Sequence, residues 1–73
     1  MDEALHVGDR VRILLDSKSW RSRGWFEGRV VKIEPYSTHR SFYWVELDQA
    51  VEANPGGATN LLSIFNPKKI KRV

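Results

Sequence analysis

The chain has 73 residues, with twelve Lys or Arg against nine Asp or Glu, and no cysteine. A chain of this length forms one domain, residues 1–73, and buries only about 60% of its unfolded surface. The missing thiols exclude disulfides and cysteine metal sites and fit a reducing cytoplasm, and no apolar run is long enough for a transmembrane helix.

The N-terminal segment is acidic and has no apolar core, so the sequence predicts no signal peptide. We expect residues 1–6 to be frayed. The first predicted strand follows at residues 10–15, RVRILL, in which basic and apolar residues alternate. Because the side chains of a strand point alternately to opposite faces, the core should receive Val11, Ile13 and Leu15.

The second predicted strand, residues 25–34, changes its phase near the middle. Gly28 and Val30 share the parity of the first half, whereas Val31 and Ile33 have the other parity. A phase change that follows a glycine predicts a β-bulge or a sharp bend, which a small barrel needs in order to close.

The third predicted strand, residues 42–48, alternates regularly. This alternation turns Phe42 and Trp44 towards solvent and should place three residues in the core, Tyr43, Val45 and Leu47. The fourth predicted strand, residues 59–65, contributes the inward pair Leu62 and Ile64.

The chain closes with Asn66-Pro67-Lys68-Lys69, which we expect to form a single 3₁₀ turn because Pro67 fixes φ and has no N–H to donate. A short last strand follows at residues 70–73. Further turns are expected at clusters of turn-forming residues, namely Gly8, residues 17–24, 35–38 and 54–57. Five short strands separated by such turns predict an all-β fold.

The layout resembles the Src-homology-3-like (SH3-like) small barrel, which has a long first loop and a one-turn connection before its last strand. The residues that carry this resemblance are 8–13, 27–33, 43–47 and 65–70. KOW and Tudor-like barrels share the same features. The resemblance implies a five-stranded SH3-like barrel with one 3₁₀ turn before the last strand.

Within this group, the layout is most similar to photosystem I reaction-centre subunit IV and its relatives. The similarity lies in Val-Arg-Ile-Leu at residues 11–14, Ser19-Trp20, and Thr59-Asn60 before the final turn. That family implies an accessory subunit whose basic surface helps to dock ferredoxin. The chain departs from the family at Glu46, where the relatives typically have a basic residue.

The sequence predicts no enzymatic activity and no cofactor. His6 and His39 are too scattered to converge on a metal ion. The serines lack the Gly-x-Ser-x-Gly context of a nucleophile, and Gly56-Gly57 does not join a strand to a helix as a phosphate-binding loop would. A positioned nucleophile, base and orienting group are therefore all missing from the pattern.

Basic residues are concentrated in two blocks. Residues 10–40 hold eight Lys or Arg, and the last eight residues hold four. If folding brings these blocks together, their field favours an anionic partner. Two alternatives stay open: ordinary solvated positions, and protection of an edge strand by the basic tail.

The candidate binding residues combine guanidinium groups with aromatic rings, and they are Trp20, Arg21, Arg23, Trp25, Arg40 and Trp44. Guanidinium groups bind phosphates, and aromatic rings stack on bases. The pattern therefore predicts a nucleic-acid-binding module for RNA or single-stranded DNA with little sequence readout. Burial of Trp20 and Trp25 against a small core, and a merely solubilising first loop, are the structural alternatives.

A second functional hypothesis is an accessory or docking subunit of a protein complex. It would use the same residues against an acidic protein, or a groove lined by aromatic rings against an extended peptide. Self-association through an exposed edge strand is a third possibility. None of these hypotheses involves membrane insertion, and all fit a cytoplasmic protein.

Overall fold

A computed structural model describes residues 5–35, 37–53 and 56–73. The protein is all-β, as predicted, and its five antiparallel strands form one sheet with the order β4-β3-β2-β1-β5. The strands are β1 (Arg10–Leu15), β2 (Gly24–Pro35), β3 (Ser41–Glu52), β4 (Ala58–Ile64) and β5 (Ile70–Arg72), and one 3₁₀ turn, Pro67–Lys69, precedes β5. None of the described residues belongs to a helix long and apolar enough to cross a membrane.

Strand β1 lies between β2 and β5 in the sheet. Ile13 is opposite Phe26 of β2 on one side and opposite Ile70 of β5 on the other. Among the described residues, β4 pairs only with β3 and β5 pairs only with β1. The sheet is therefore open between β4 and β5, and its closure into an SH3-like barrel stays a prediction.

The core is built from the residues whose parity predicted burial. Its buried members are Val11, Ile13, Leu15, Val30, Val45, Leu47, Val51, Leu62 and Ile70. Tyr43 and Ile64, also predicted to face inward, are partly buried and pack against these residues. Strand β3 extends four residues beyond the predicted end at Asp48, which brings Val51 into the core.

The predicted irregularity in β2 is a shift of register between Val30 and Lys32. Val30 is fully buried, whereas Val31 is exposed, because the extra residue in the bulge lets the following residues change face. Gly28 is buried just before this point, where β2 and β3 approach closely. A Cβ at Gly28 would overlap the Glu46 carbonyl oxygen and lie 2.8 Å from the Cα of Leu47.

The closing turn has the predicted 3₁₀ geometry. Asn66 caps it, because its side-chain Oδ1 accepts a hydrogen bond of 2.9 Å from the Lys68 N–H, and Pro67 occupies the first turn. Of the other predicted turns, Tyr36, Asn54 and Pro55 lie outside the described residues. Gly8 and Gly57 both have φ of +99°, which glycine adopts without strain.

The predicted frayed segment is described from residue 5 onward. Leu5 is partly buried and packs against the core. The backbone N–H of His6 donates a hydrogen bond of 2.8 Å to the Asp9 carboxylate. These contacts tie the last two residues of the segment to the sheet.

Candidate nucleic-acid interface

An open groove lies between the first loop, residues 16–23, and the closing turn, residues 65–69. Its volume is about 190 Å³. Leu14, Ile64 and two aromatic residues, Trp20 and Phe65, provide apolar walls, and polar groups of both segments also line it: Asp16, Ser17, Asn66 and Lys69. The first loop and the closing turn, one from each basic block of the sequence, therefore border the groove, and Lys69 is the basic side chain that lines it.

The first loop is held against the far end of β3 by backbone hydrogen bonds. The Arg21 N–H donates to the Glu52 carbonyl at 2.8 Å, and the Glu52 N–H donates to the Ser22 hydroxyl at 2.9 Å. Trp20 forms a single bridge with Ala53. These contacts fix the loop backbone, so that the Trp20 ring packs partly buried against the core and closes one wall of the groove.

An ion pair connects the two sides of the groove. The Lys69 ammonium in the closing turn donates to Oδ1 of Asp16, at the start of the first loop. Asp16 and Lys69 are 53 residues apart in sequence. Their pairing ties the closing turn to the end of β1.

The remaining charges of these segments are mostly positive. Arg21 and Arg23 are exposed, and neither guanidinium forms an ion pair or a hydrogen bond with the residues that the structure describes. Lys68 is likewise exposed, on the closing turn. Counting Lys18 and Lys69 beside them, the two segments that border the groove carry five cations and only one carboxylate, that of Asp16.

Arg40 contacts Phe65, an aromatic residue that lines the groove and was not among the candidates predicted from the sequence. Its guanidinium carbon lies 5.6 Å from the centre of the Phe65 ring, within the range of a cation–π contact. Phe65 also lies 5.3 Å from the ring centre of Phe42. In the sequence, only the outward parity of Phe42 indicated this cluster, because its partner Phe65 follows the end of β4.

Trp44 lies on the outer face of β3, as its parity predicted, between Lys32 of β2 and Ser63 of β4. It is partly buried, and its indole N–H donates a hydrogen bond of 2.9 Å to Glu34. This hydrogen bond, with the charge of Lys32, lowers the pKa of the Glu34 carboxyl. Trp44 is therefore already engaged on one edge of its ring.

Trp25 is not among the residues that line the groove. It is 42% exposed, and the Lys71 ammonium lies 4.7 Å from the centre of its ring. Its cross-strand neighbour on β1 is Leu14, which also lines the groove. Trp25 therefore stands beside the groove, on the side of β5.

The six candidate residues are not gathered on one face. Trp20 lines the groove, followed in sequence by Arg21 and Arg23, and Arg40 contacts the groove residue Phe65. Trp44 lies eight residues along β3 from Glu52, the residue on which the first loop is anchored. Among the candidates, Trp20 lines the groove together with Phe65.

The outer face of β1, β2 and β3 is largely neutralised by ion pairs. Arg10 makes a forked pair with Asp48, at 2.6 and 3.0 Å, and also bonds Glu27 at 2.7 Å. Hydrogen bonding and the charge of Arg10 lower the pKa of the Asp48 carboxyl. Lys32 pairs with Glu34 at 3.6 Å. These ion pairs reduce the positive charge that the outer face presents to an anionic ligand.

The described parts of the chain contain no group of three or more His, Cys, Asp or Glu residues arranged to hold a metal ion. Comparison of the chain with protein-family models, with curated proteins and with solved structures finds no match.

Proposed function

We propose that this chain is a small, non-enzymatic, cytoplasmic module that binds single-stranded nucleic acid at the groove between the first loop and the closing turn. The observation that carries this proposal is a groove walled by Trp20 and Phe65 between two segments that together carry five Lys or Arg residues. Aromatic walls with surrounding cations are what sequence-tolerant binding of single strands requires.

In the proposed mechanism, the phosphates of the strand lie against the exposed cations of the two segments. Arg21, Arg23 and Lys68 supply charge, and the guanidinium groups can donate two parallel hydrogen bonds to a phosphate. A base enters the groove and stacks on Trp20 or Phe65. The first loop is already anchored by its bonds to Glu52, so little ordering cost opposes binding.

The test is the affinity for short RNA and single-stranded DNA oligonucleotides, measured by fluorescence anisotropy at several salt concentrations. We expect log K to fall linearly with log salt, by about 0.7 for each phosphate neutralised. The double variant Arg21→Gln/Arg23→Gln should bind more weakly and with a shallower slope.

The matched control is Arg29→Gln/Lys32→Gln, which removes the same charge from the outer face of β2. It should change the affinity much less, because Lys32 is paired with Glu34 and both sites lie outside the groove. The proposal is wrong if no oligonucleotide binds at low salt, if binding is indifferent to salt, or if the control weakens binding equally.

A second candidate function, docking on an acidic or amphipathic protein, is favoured by a different surface. The outer face of β3 and β4 exposes apolar groups, Phe42, Leu61 and Phe65, around the partly buried Trp44. Aromatic and apolar groups with few unpaired charges are typical of protein interfaces. Recovery of one stoichiometric protein after nuclease treatment, lost on Leu61→Glu, would favour docking.

A further inference from the structure

We infer that the groove selects guanine, through the carboxylate of Asp16. This inference rests on the proposed function and specifies which base the groove takes. Its starting point is an anomaly of charge: Asp16 is the only acid on the segments that surround the groove. A carboxylate at this place repels phosphate, and beyond its ion pair with Lys69 it can serve a nucleic-acid site by accepting hydrogen bonds from a base.

Both oxygens of the carboxylate keep acceptor capacity, because each has two lone pairs. Oδ1 accepts the hydrogen bond from Lys69, whereas Oδ2 accepts none from the residues that the structure describes. The Asp16 side chain is 45% exposed and lines the groove. The bond to Lys69 also holds the carboxyl group at one position.

An ionised carboxylate can only accept hydrogen bonds. Guanine alone among the common bases has two adjacent donors, N1–H and the N2 amino group, on its Watson–Crick edge. Adenine and cytosine offer one amino group beside an acceptor, and uracil offers N3–H between two acceptors. A carboxylate can therefore accept two hydrogen bonds from guanine, but only one from the amino group of adenine or cytosine, whose neighbouring acceptor it repels.

A second groove residue complements the same edge. The Oδ1 atom of Asn66 is occupied by the Lys68 N–H, which leaves the amide Nδ2 group as a donor. Guanine carries the acceptor O6 next to N1–H. The groove thus offers both the acceptors and the donor that this edge of guanine can use.

The size of the groove suits one base. About 190 Å³ is below the roughly 300 Å³ at which pockets for drug-sized ligands begin. The apolar walls are Trp20 and Phe65, whose rings can stack on a purine. Guanine would enter singly, with the flanking nucleotides outside against the cations.

The test compares uridine-tract RNAs that carry one central guanosine, adenosine, cytidine, uridine or inosine. The wild-type protein should bind the guanosine RNA about ten-fold more tightly than the uridine RNA. Inosine lacks the N2 amino group, so its RNA should lose most of this preference. The single-guanosine design avoids self-association of guanine tracts.

The variant Asp16→Asn distinguishes recognition of the base by Asp16 from a contribution of Asp16 to folding. It retains the size of the side chain but loses the carboxylate, so we expect loss of the guanosine preference, measured as the ratio of the affinities of the same variant for the guanosine and uridine RNAs. Thermal unfolding of the variant establishes that it is folded, and the inosine comparison tests the same contact without any substitution.

The outcomes distinguish the two proposals. Equal affinity of the wild-type protein for all five RNAs overturns guanine selection and leaves nucleic-acid binding intact. A guanosine preference that persists unchanged in Asp16→Asn overturns the role of Asp16. Failure of every RNA to bind overturns the proposed function, and guanine selection with it.

Discussion

Gly28 is the residue at which β2 and β3 come closest. Any side chain there would meet the backbone of β3, the Glu46 carbonyl oxygen and the Leu47 Cα. Backbone atoms within a paired sheet cannot move aside as the end of a flexible side chain could. We therefore expect Gly28→Ala to destabilise the protein by about 1–3 kcal/mol, measured by urea unfolding.

The matched control for this substitution is Gly56→Ala. Apart from its chain neighbours, no described residue has a heavy atom within 4 Å of the position that a Cβ of Gly56 would take, and the φ of Gly56 does not lie in the left-handed region. Its replacement should alter the free energy of unfolding by no more than about 0.5 kcal/mol. Equal unfolding midpoints for the two variants would contradict the close approach at Gly28.

At the residue scale, sequence reasoning worked where the signal is local. The change of parity after Gly28 predicted the bulge that the structure places at Val31. The groove depends instead on Asp16 meeting Lys69, 53 residues away. No period or turn signal in the chain encodes a contact at that separation, so this part of the site could not be predicted.

At the element scale, β5 is the strand with the fewest paired residues. It has three residues and pairs only with β1 among the described strands. Arg72 bonds the Asp9 carboxylate at 2.9 Å, just before β1 begins. The backbone hydrogen bond from His6, followed by the charge and hydrogen bond of Arg72, lowers the pKa of Asp9.

The pH dependence of β5 follows from this lowered pKa. Because the folded state holds Asp9 ionised below its ordinary pKa of about 3.9, the unfolded state binds more protons in that range. The stabilisation is present above the unfolded pKa and is lost as pH falls through the folded pKa. We expect protection of the β5 amides from hydrogen exchange to decrease below about pH 4.

Substitutions at Asp9 and Asp48 distinguish the effect of the Asp9–Arg72 ion pair from general effects of acid. Asp9→Asn should reduce β5 protection already at neutral pH and weaken its dependence on acid. Asp48→Asn removes the same charge at the Arg10 pair between β1 and β3 and should leave β5 protection closer to that of the wild type. Unchanged hydrogen exchange of the β5 amides in Asp9→Asn would contradict stabilisation of β5 by the Asp9–Arg72 ion pair.

The strands themselves were the predictable elements. Alternation of apolar and polar residues fixed β1 at its observed bounds, Arg10–Leu15, and indicated the inward side of the third and fourth strands. The course of the first loop was not predictable. It depends on backbone bonds between Arg21 and Glu52, and backbone groups leave no trace in the residue pattern.

At the scale of the whole molecule, ion pairs determine where unpaired positive charge remains, and the order of charged residues in the sequence does not. The net charge is only +3, but the forked pair of Arg10 with Asp48 and the pair of Lys32 with Glu34 neutralise the outer face of the sheet. The unpaired guanidinium groups of Arg21 and Arg23 stand beside the groove. A modest total charge can therefore produce a strong local field for an anionic strand.

This arrangement depends on the core, because the groove wall formed by Trp20 rests on it. Ile13 is fully buried and joins three strands through its neighbours Phe26 and Ile70. Ile13→Ala should cost about 2–5 kcal/mol, a large part of the stability of so small a domain, whereas Ile13→Val should cost about 0.5–1.5 kcal/mol.

Oligonucleotide affinity measured beside urea unfolding for both Ile13 variants links the core to the groove. If the groove exists only in the folded state, the bound fraction at a fixed RNA concentration should fall with the folded fraction and recover as RNA is raised, since ligand binding draws the equilibrium towards the folded protein. RNA binding by unfolded Ile13→Ala that matches the wild type would mean that basic residues bind without the groove. Selection of one base would then have no structural basis.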